Sequence, residues 1–415
     1  MSGTQTSPES AVVSEAPSSS EDSDCEPEPE PDTDFIVNEE WAKEILIRAG
    51  VVGANEVEVG TKEGVTGSLS KVLAVTIRYE AENERKTLPL ILKLPPRDPF
   101  GRLFVAEAQF DTREVLFYTE LAPVLNKLAE EAFGPGTGLH IPKCIKAKLP
   151  RRIGEDSELV LEDVTADGYE SANFAEGLTE KRARAAVHTV ARLHALSLAL
   201  HERQGALDEL FDFLFPCERA AAGYLRLIRR GLPQLEEFLR GRSDCAEEAT
   251  AVSALCARAP SLLDTLLRPV EPAPIVHADF WCGNLLFRER DGNSECKVLD
   301  WQMISLGRPM DDIALLLLSS LSPEMRRSIG DGLIEYYGDC LMADCEKLGA
   351  TSAGYEIRCG LLADWPRAAL RALLLCAGSV DVALGDPRAE ARLLEAVRDL
   401  HVEGVLALKP IADTE

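Results

Sequence analysis

His277, Asp279, Asn284 and Asp300 stand at spacings that suit one piece of chemistry. Asp279 lies two residues after His277, Asn284 five after Asp279, and Asp300 closes a short apolar run sixteen residues further on. A phosphoryl group in transfer spreads negative charge over its oxygens. Its site must therefore bring a divalent cation close and aim one hydroxyl in line. A loop Asp can accept the hydroxyl proton, and a carboxylate with an amide oxygen makes the hard donor set that Mg2+ prefers. The pattern predicts Asp279 as that base and Asn284 and Asp300 at a metal. Singly, each has a plain structural reading as a helix cap, a turn residue and an acidic strand end. The joint spacing in an apolar setting carries the chemistry.

The flanking sequence supplies elements to hold these groups. Ile275-Val276 reads as a short buried strand that delivers His277. Leu285-Leu286-Phe287 and Lys297-Val298-Leu299 read as paired strands around an Asp291-Gly292 turn, a strong hairpin signal. That hairpin would carry Asn284 at its start and Asp300 at its finish. Asp311-Asp312 begins an apolar helix after Pro309, and Asp312 is expected to cap it or brace the catalytic loop. His188 and His194 lie on or beside the apolar stripe of a helix from Leu178 to Arg203, where packed, hydrogen-bonded core residues are expected.

Upstream, Phe35 to Gly50 reads as a helix. Glu56 to Gly60, Leu69 to Tyr79 and Leu88 to Leu94 read as antiparallel strands. The turn Gly64 to Ser70 contains Gly67, Ser68 and Ser70, and such a turn can lay backbone N–H groups over phosphates. Lys93, near the end of an apolar strand, needs a partner or an exit to water. The expected partner is Glu114, on a helix from Leu103 to Leu121, with Lys93 reaching nucleotide phosphates. Two further strands, Ile141 to Lys148 and Glu158 to Glu162, lead to Leu161-Glu162-Asp163. A hinge between lobes would fall there, with backbone groups free to read adenine. The rest reads as mainly helical. Breaks are expected near Pro216, Gly231-Leu232-Pro233 and Gly241, an N-cap at Ser322-Pro323, and closing helices over Ala350 to Leu384 and Pro387 to Leu408.

Composition narrows the class. The chain has 415 residues, 46% hydrophobic and 27% charged, enough for a sizeable core and two or three lobes. Its net charge of -26 argues against nucleic acid or an anionic membrane as main partner, though not against a nucleotide neutralised by Mg2+. The eleven cysteines are scattered without a C-x-x-C pair, which suggests reduced thiols rather than disulfides or zinc. No secretory signal and no apolar run near the ~18 residues of a membrane span is visible, so no membrane insertion is expected and the cytoplasm is the default. Met1 to Asp34 has no Lys or Arg and is expected to be a disordered acidic tail.

These pieces together resemble the ecdysteroid kinase-like (CHK kinase-like) family of the aminoglycoside/choline phosphotransferase superfamily. The carrying residues are Thr66 to Ser70, Lys93, Arg113-Glu114-x-x-Phe117-Tyr118, Leu161-Glu162-Asp163, Ala191 to Ala195, His277-Ala278-Asp279 with Asn284, and Leu299-Asp300-Trp301-Gln302. They span roughly Phe35 to Leu408. Two positions depart from the usual pattern: Ala278 stands where Gly is usual, and Trp301 where Phe is common. The resemblance implies an α+β, two-lobed, protein-kinase-like fold, with a small antiparallel-sheet lobe over residues 35–163 and a large helical lobe over 164–415. It implies MgATP-dependent phosphorylation of a small-molecule hydroxyl, with steroid-like or other apolar alcohols as acceptors. His277 would brace the loop, Gly67, Ser68, Ser70, Lys93 and Glu114 would serve the phosphates, and Asn284 and Asp300 would hold Mg2+. A pseudokinase that binds nucleotide without turnover is the alternative, with Ala278 as its one foothold.

Overall fold

The computed structural model of the chain describes residues 37–63, 69–150, 156–214 and 221–409. The expected acidic tail, Gly67 and Ser68, and the expected break near Pro216 fall outside these residues. Among the described residues no helix is long and apolar enough to cross a membrane.

The first helix, α1 (Glu39–Arg48), is shorter than the expected span because Asn38 caps it, its side chain accepting from the Trp41 amide. Strands β1 (Asn55–Glu63), β2 (Lys71–Ala81) and β3 (Glu84–Leu94) follow. The expected single helix from Leu103 to Leu121 is three pieces: α2 (Pro99–Ala108), α3 (Phe110–Leu116) and a wider π turn, Phe117–Leu121. Gln109 divides the first two with a left-handed backbone, φ 54°. The chain then runs through α4 (Ala122–Phe133), β4 (Cys144–Lys148) and β5 (Glu158–Glu162). The sheet order is β1-β2-β3-β5-β4, with all neighbours antiparallel.

Alternation along β2 and β3 divides the sheet into two faces. Leu73, Val75, Ile77, Leu90 and Leu92 point to one side, where Trp41, Ile45 and Leu46 of α1 cover them in a separate small core. Lys93, next to Leu92, is thereby turned to the other face, toward the rest of the molecule. Trp41 donates to Glu158 of β5 at 2.7 Å and Glu44 pairs with Lys146 of β4 at 3.0 Å, which fastens α1 to the sheet.

Beyond β6 (Glu170–Ser171), helices dominate: α5 (Glu180–Gln204), α6 (Leu207–Leu210), α7 (Ala221–Arg240) and α8 (Ala246–Leu267). Short strand β7 (Ile275–Val276) leads to the hairpin of β8 (Leu285–Arg290) and β9 (Asn293–Val298). Strand β10 (Ser305–Leu306) pairs back on β7. The chain closes with α9 (Met310–Ser320), α10 (Pro323–Leu348), α11 (Thr351–Gly378), α12 (Val380–Ala383) and α13 (Pro387–Val402). The α+β, two-lobed, protein-kinase-like arrangement is present. Side chains of α4 belong to the large helical core, together with α5, β7 and α9.

The expected break at Gly231-Leu232-Pro233 is absent. Helix α7 runs through all three residues and ends at Gly241. Tertiary packing overrides the local signal: a Cβ on Gly231 would lie 1.7 Å from the Ala377 carbonyl oxygen of α11. Glycine there permits a close backbone approach rather than a bend. Gly231→Ala is accordingly expected to destabilise the fold by about 3 kcal/mol, read as a lower urea midpoint, because backbone on both sides must shift.

Candidate active site

Asp279 and Asn284 meet directly. The Asn284 Nδ2 donates to Oδ2 of Asp279 and to its backbone carbonyl, both at 2.8 Å. Since that carbonyl can only accept, the amide orientation is settled, and Oδ1 of Asn284 is turned away from Asp279. The β8–β9 hairpin forms as expected around Asp291 and Gly292, with φ of 50° and 79°, and its register sets Leu285 opposite Val298. One more bond, from the Leu299 amide to the Asn284 carbonyl at 2.9 Å, carries the hairpin to the doorstep of Asp300.

The loop that presents Asp279 is fastened from below. His277 Nε2 donates to the Leu299 carbonyl at 2.8 Å, and its Nδ1 accepts from the Asp279 amide at 3.3 Å. These two bonds define the tautomer. Asp312 accepts from the amides of His277 and Ala278, each at 2.8 Å, and from His194 Nε2 at 3.2 Å. Asp312 thus braces the loop; Pro309, not Asp312, is the first residue of its helix cap. Burial alone would raise the Asp312 pKa, but His194 and the His277 amide outweigh it and hold the carboxyl below its ordinary value. His194 is fully buried and also bonds the Tyr337 hydroxyl at 2.9 Å, the core role expected of it. Ala278 adopts φ 67°, a left-handed conformation that disfavours a β-carbon, and its bond to Asp312 helps hold it there.

Lys93 links this loop region to the sheet. Its Nζ lies 2.6 Å from Oε2 of Glu114 and 2.5 Å from Oδ1 of Asp300. Burial pulls the Lys93 pKa down, yet the charges of Asp300 and Glu114 outweigh it and keep the amine protonated. Burial is the largest influence on Glu114 as well and pushes its carboxyl up. For Asp279, burial and then the charge of Asp300 raise the pKa, although the side chain keeps some access to solvent. Ser70 shares a pocket with Lys93, Glu114, Asp111 and Gln302.

Helix α3 also holds the backbone that follows Asp300, a contact spacing alone did not reveal. Glu114 Oε1 accepts from the Trp301 amide at 3.3 Å. The buried guanidinium of Arg113 donates to the carbonyls of Met303 and Ile304. At the π turn, Phe117 stacks on Trp301 with centroids 4.0 Å apart. Asp300 itself has φ 61°, and these three contacts fix the strained turn that aims its carboxylate at Lys93. Arg113→Met should keep the packed stem and lose both carbonyl contacts, costing about 2 kcal/mol of stability in a denaturant titration.

The hinge differs from expectation. The Glu162 amide donates to the Lys143 carbonyl at 2.9 Å and the Asp163 amide to the Pro89 carbonyl at 3.2 Å, so the sheet takes up both N–H groups. Asp163 Oδ1 caps the following turn by accepting from Thr165, and Lys297 pairs with Glu162 at 3.1 Å. Leu161 is buried in the sheet opposite Ile91. Among the described residues, no group of three or more His, Cys, Asp or Glu gathers to hold a metal by itself.

No curated protein sequence matches the chain. Among solved structures, Plasmodium vivax ethanolamine kinase is 11% identical with a TM-score of 0.39, over 88% of this chain and 92% of that one. A microcompartment-associated aminopropanol kinase is 12% identical with a TM-score of 0.39, over 89% and 98%. Aminoglycoside 2'-phosphotransferase-IIIa is 10% identical with a TM-score of 0.40, over 88% and 98%. The family model of the ecdysteroid kinase-like family matches residues 66–350, more than half of the sequence. The chain belongs to the ecdysteroid kinase-like family.

Proposed function

We propose that the chain is a small-molecule kinase that transfers a phosphoryl group from MgATP to an alcohol. The observation that carries this reading is the position of Lys93, whose amine bridges a helix carboxylate and a carboxylate 207 residues away, beside the Asp279–Asn284 pair. A protonated amine held between two acids, next to a partly desolvated third, suits the polyanionic end of a nucleotide.

In this reading Asp279 orients the acceptor hydroxyl and takes its proton. Its raised pKa makes it a stronger base than a surface aspartate. Lys93, braced by Glu114, binds ATP phosphates, and Ser70 borders them together with Gly67 and Ser68. Leu161, Glu162 and Asp163 flank the adenine through groups other than the amides engaged in the sheet. Oδ1 of Asn284 and the Asp300 carboxylate fit a hard divalent ion, Mg2+, which when bound neutralises phosphate charge. Two protein donors suffice for an ion that takes its remaining ligands from phosphate and water. His277 acts through the loop backbone. We infer from the family an acceptor of the steroid-like or other apolar alcohol class, with no part for nucleic acid.

The test is ATP consumption by purified protein across a panel of alcohols, with Asp279→Asn and Lys93→Met in parallel. Turnover that needs Mg2+ and both residues is expected. Failure of the unaltered protein to bind MgATP, or equal turnover in Asp279→Asn, would overturn the reading.

A further inference from the structure

Helix α2 has no part in the chemistry assigned so far, yet it walls the site one helix thick. Phe104 and Val105 on its inner face are buried, while Arg102, Leu103, Ala106 and Glu107 on its outer face stand in solvent. Val105 borders the cavity that Lys93, Ser70 and Gln302 share. Phe104, one residue earlier, turns toward the large lobe and meets Phe110 edge-on, with centroids 5.6 Å apart and planes at 76°. These three side chains form a small apolar cluster apart from the cores of the sheet and of the helices. Leu69, Leu227 and Met303 pack against it. Leu69 precedes β2, Leu227 belongs to α7, and Met303 lies three residues past Asp300. The cluster thus joins both lobes at the edge of the site.

The hold of α2 on α7 has an apolar and a charged part. The α7 backbone at Gly223 runs along the Phe104 ring, where a Cβ would lie 3.8 Å away. Arg226 lies over the same ring, 5.6 Å from its centre, and pairs with Glu107 of α2. Helix α7 is itself rooted in the large core through Tyr224, Ile228, Leu232, Leu235 and Leu239. On the small-lobe side, Arg102 of α2 lies 2.5 Å from Asp156, just ahead of β5. The left-handed Gln109 turns α2 away from α3, so α2 reaches α7 while Glu114 stays on Lys93. We propose that α2 is a strap between the lobes that keeps water from the phosphoryl group, and so selects an alcohol over water as acceptor. This rests on the kinase reading of the Lys93 site. Water outnumbers any alcohol, so it must be excluded by shape. An apolar wall also offers it no hydrogen bond on the way in.

The first test is hydrogen exchange on the full chain, read on the amides of α2. Docked on α7, they should be protected. Phe104→Ala should speed their exchange about tenfold and Arg226→Glu about threefold, since an exposed ion pair is the weaker hold. Glu107→Arg/Arg226→Glu, which remakes the pair in reverse, should recover the loss seen in Arg226→Glu. The two residues are 119 apart in the chain, so only a contact between α2 and α7 carries that rescue. Arg226→Glu, at an exposed position, keeps the test decisive should Phe104→Ala fail to fold. Exchange unchanged in Arg226→Glu, or not recovered in the swap, overturns the strap whether or not turnover is detected.

The second test is phosphate release from MgATP with no alcohol present. Phe104→Ala and Arg226→Glu should raise it, on the order of fivefold and twofold, because water then reaches the site. A merely structural α2 would instead lower it, as damage to a site does. The rise should vanish in Phe104→Ala/Asp279→Asn. Release that does not rise, or a rise that survives the loss of Asp279, overturns the water-excluding role. Failure of the unaltered protein to bind MgATP removes the kinase reading and that role with it, and the exchange result stands.

Discussion

Asp279→Asn should lower turnover of MgATP with an alcohol by about 10²–10⁴-fold and at the same time raise the thermal midpoint. The rate loss is the usual share of a positioned base. The stability gain follows from the sign of the pKa shift. Burial and the neighbouring Asp300 charge raise the carboxyl in the folded state, so folding is opposed once the pH climbs above the unfolded value of about 4. The penalty is fully present above the folded pKa and vanishes at strongly acid pH. The variant should thus melt above the unaltered protein at pH 7, and the two should converge near pH 3. An inactive variant that melts lower at pH 7 would mean that the site is held together by the charge rather than strained by it.

Asp312→Ala carries the largest expected loss of stability, about 3–5 kcal/mol, measured by urea titration. The side chain is fully buried and satisfies the amides of His277 and Ala278 and the ring of His194. Removing it strands these three donors where water cannot reach them, and it releases Ala278 from its left-handed conformation. Turnover should fall too, because Asp279 hangs from the same loop. Here the pH sign is opposite to that of Asp279. The Asp312 pKa is held below the ordinary value, so its contribution is present above about pH 4 and is lost as the pH falls through the lower folded value. Asp312→Ala and the unaltered chain should differ most at neutral pH and least in strong acid. A midpoint within about 1 kcal/mol of the unaltered protein at pH 7 would refute the bracing role.

The parts of the site that were legible in the sequence share one property: their geometry is local. An Asp-Gly turn between two apolar runs fixes a hairpin register within about ten residues, and that register alone brings Asn284 and Asp300 to the same open end of the ladder. Lys93 was legible because a lysine among alternating apolar residues has few destinations. What could not be read depends on tertiary contact. Gln109 takes a left-handed backbone that its residue type does not announce, so α2 and α3 were expected as one helix. Gly231 and Pro233 signal a break, yet close approach to the α11 backbone keeps the helix continuous. The reach of Arg113 to Met303 and Ile304 spans 190 residues and leaves no pattern in either segment. The hinge amides were expected to be free because a strand end looks unpaired in one dimension. The partners Lys143 and Pro89 come from two different neighbours in the sheet.

The two residues with left-handed backbones at the site are held from opposite directions. Ala278 is pinned by Asp312, which belongs to a helix of the large core, whereas the turn at Asp300 is gripped by Glu114 and Arg113 of α3. Each acidic group therefore owes its aim to a different helix, although the bond from His277 to the Leu299 carbonyl stitches the two loops together. A substitution in α3 should disturb Asp300 first and one in α9 should disturb Asp279 first, so the two carboxylates can be perturbed one at a time.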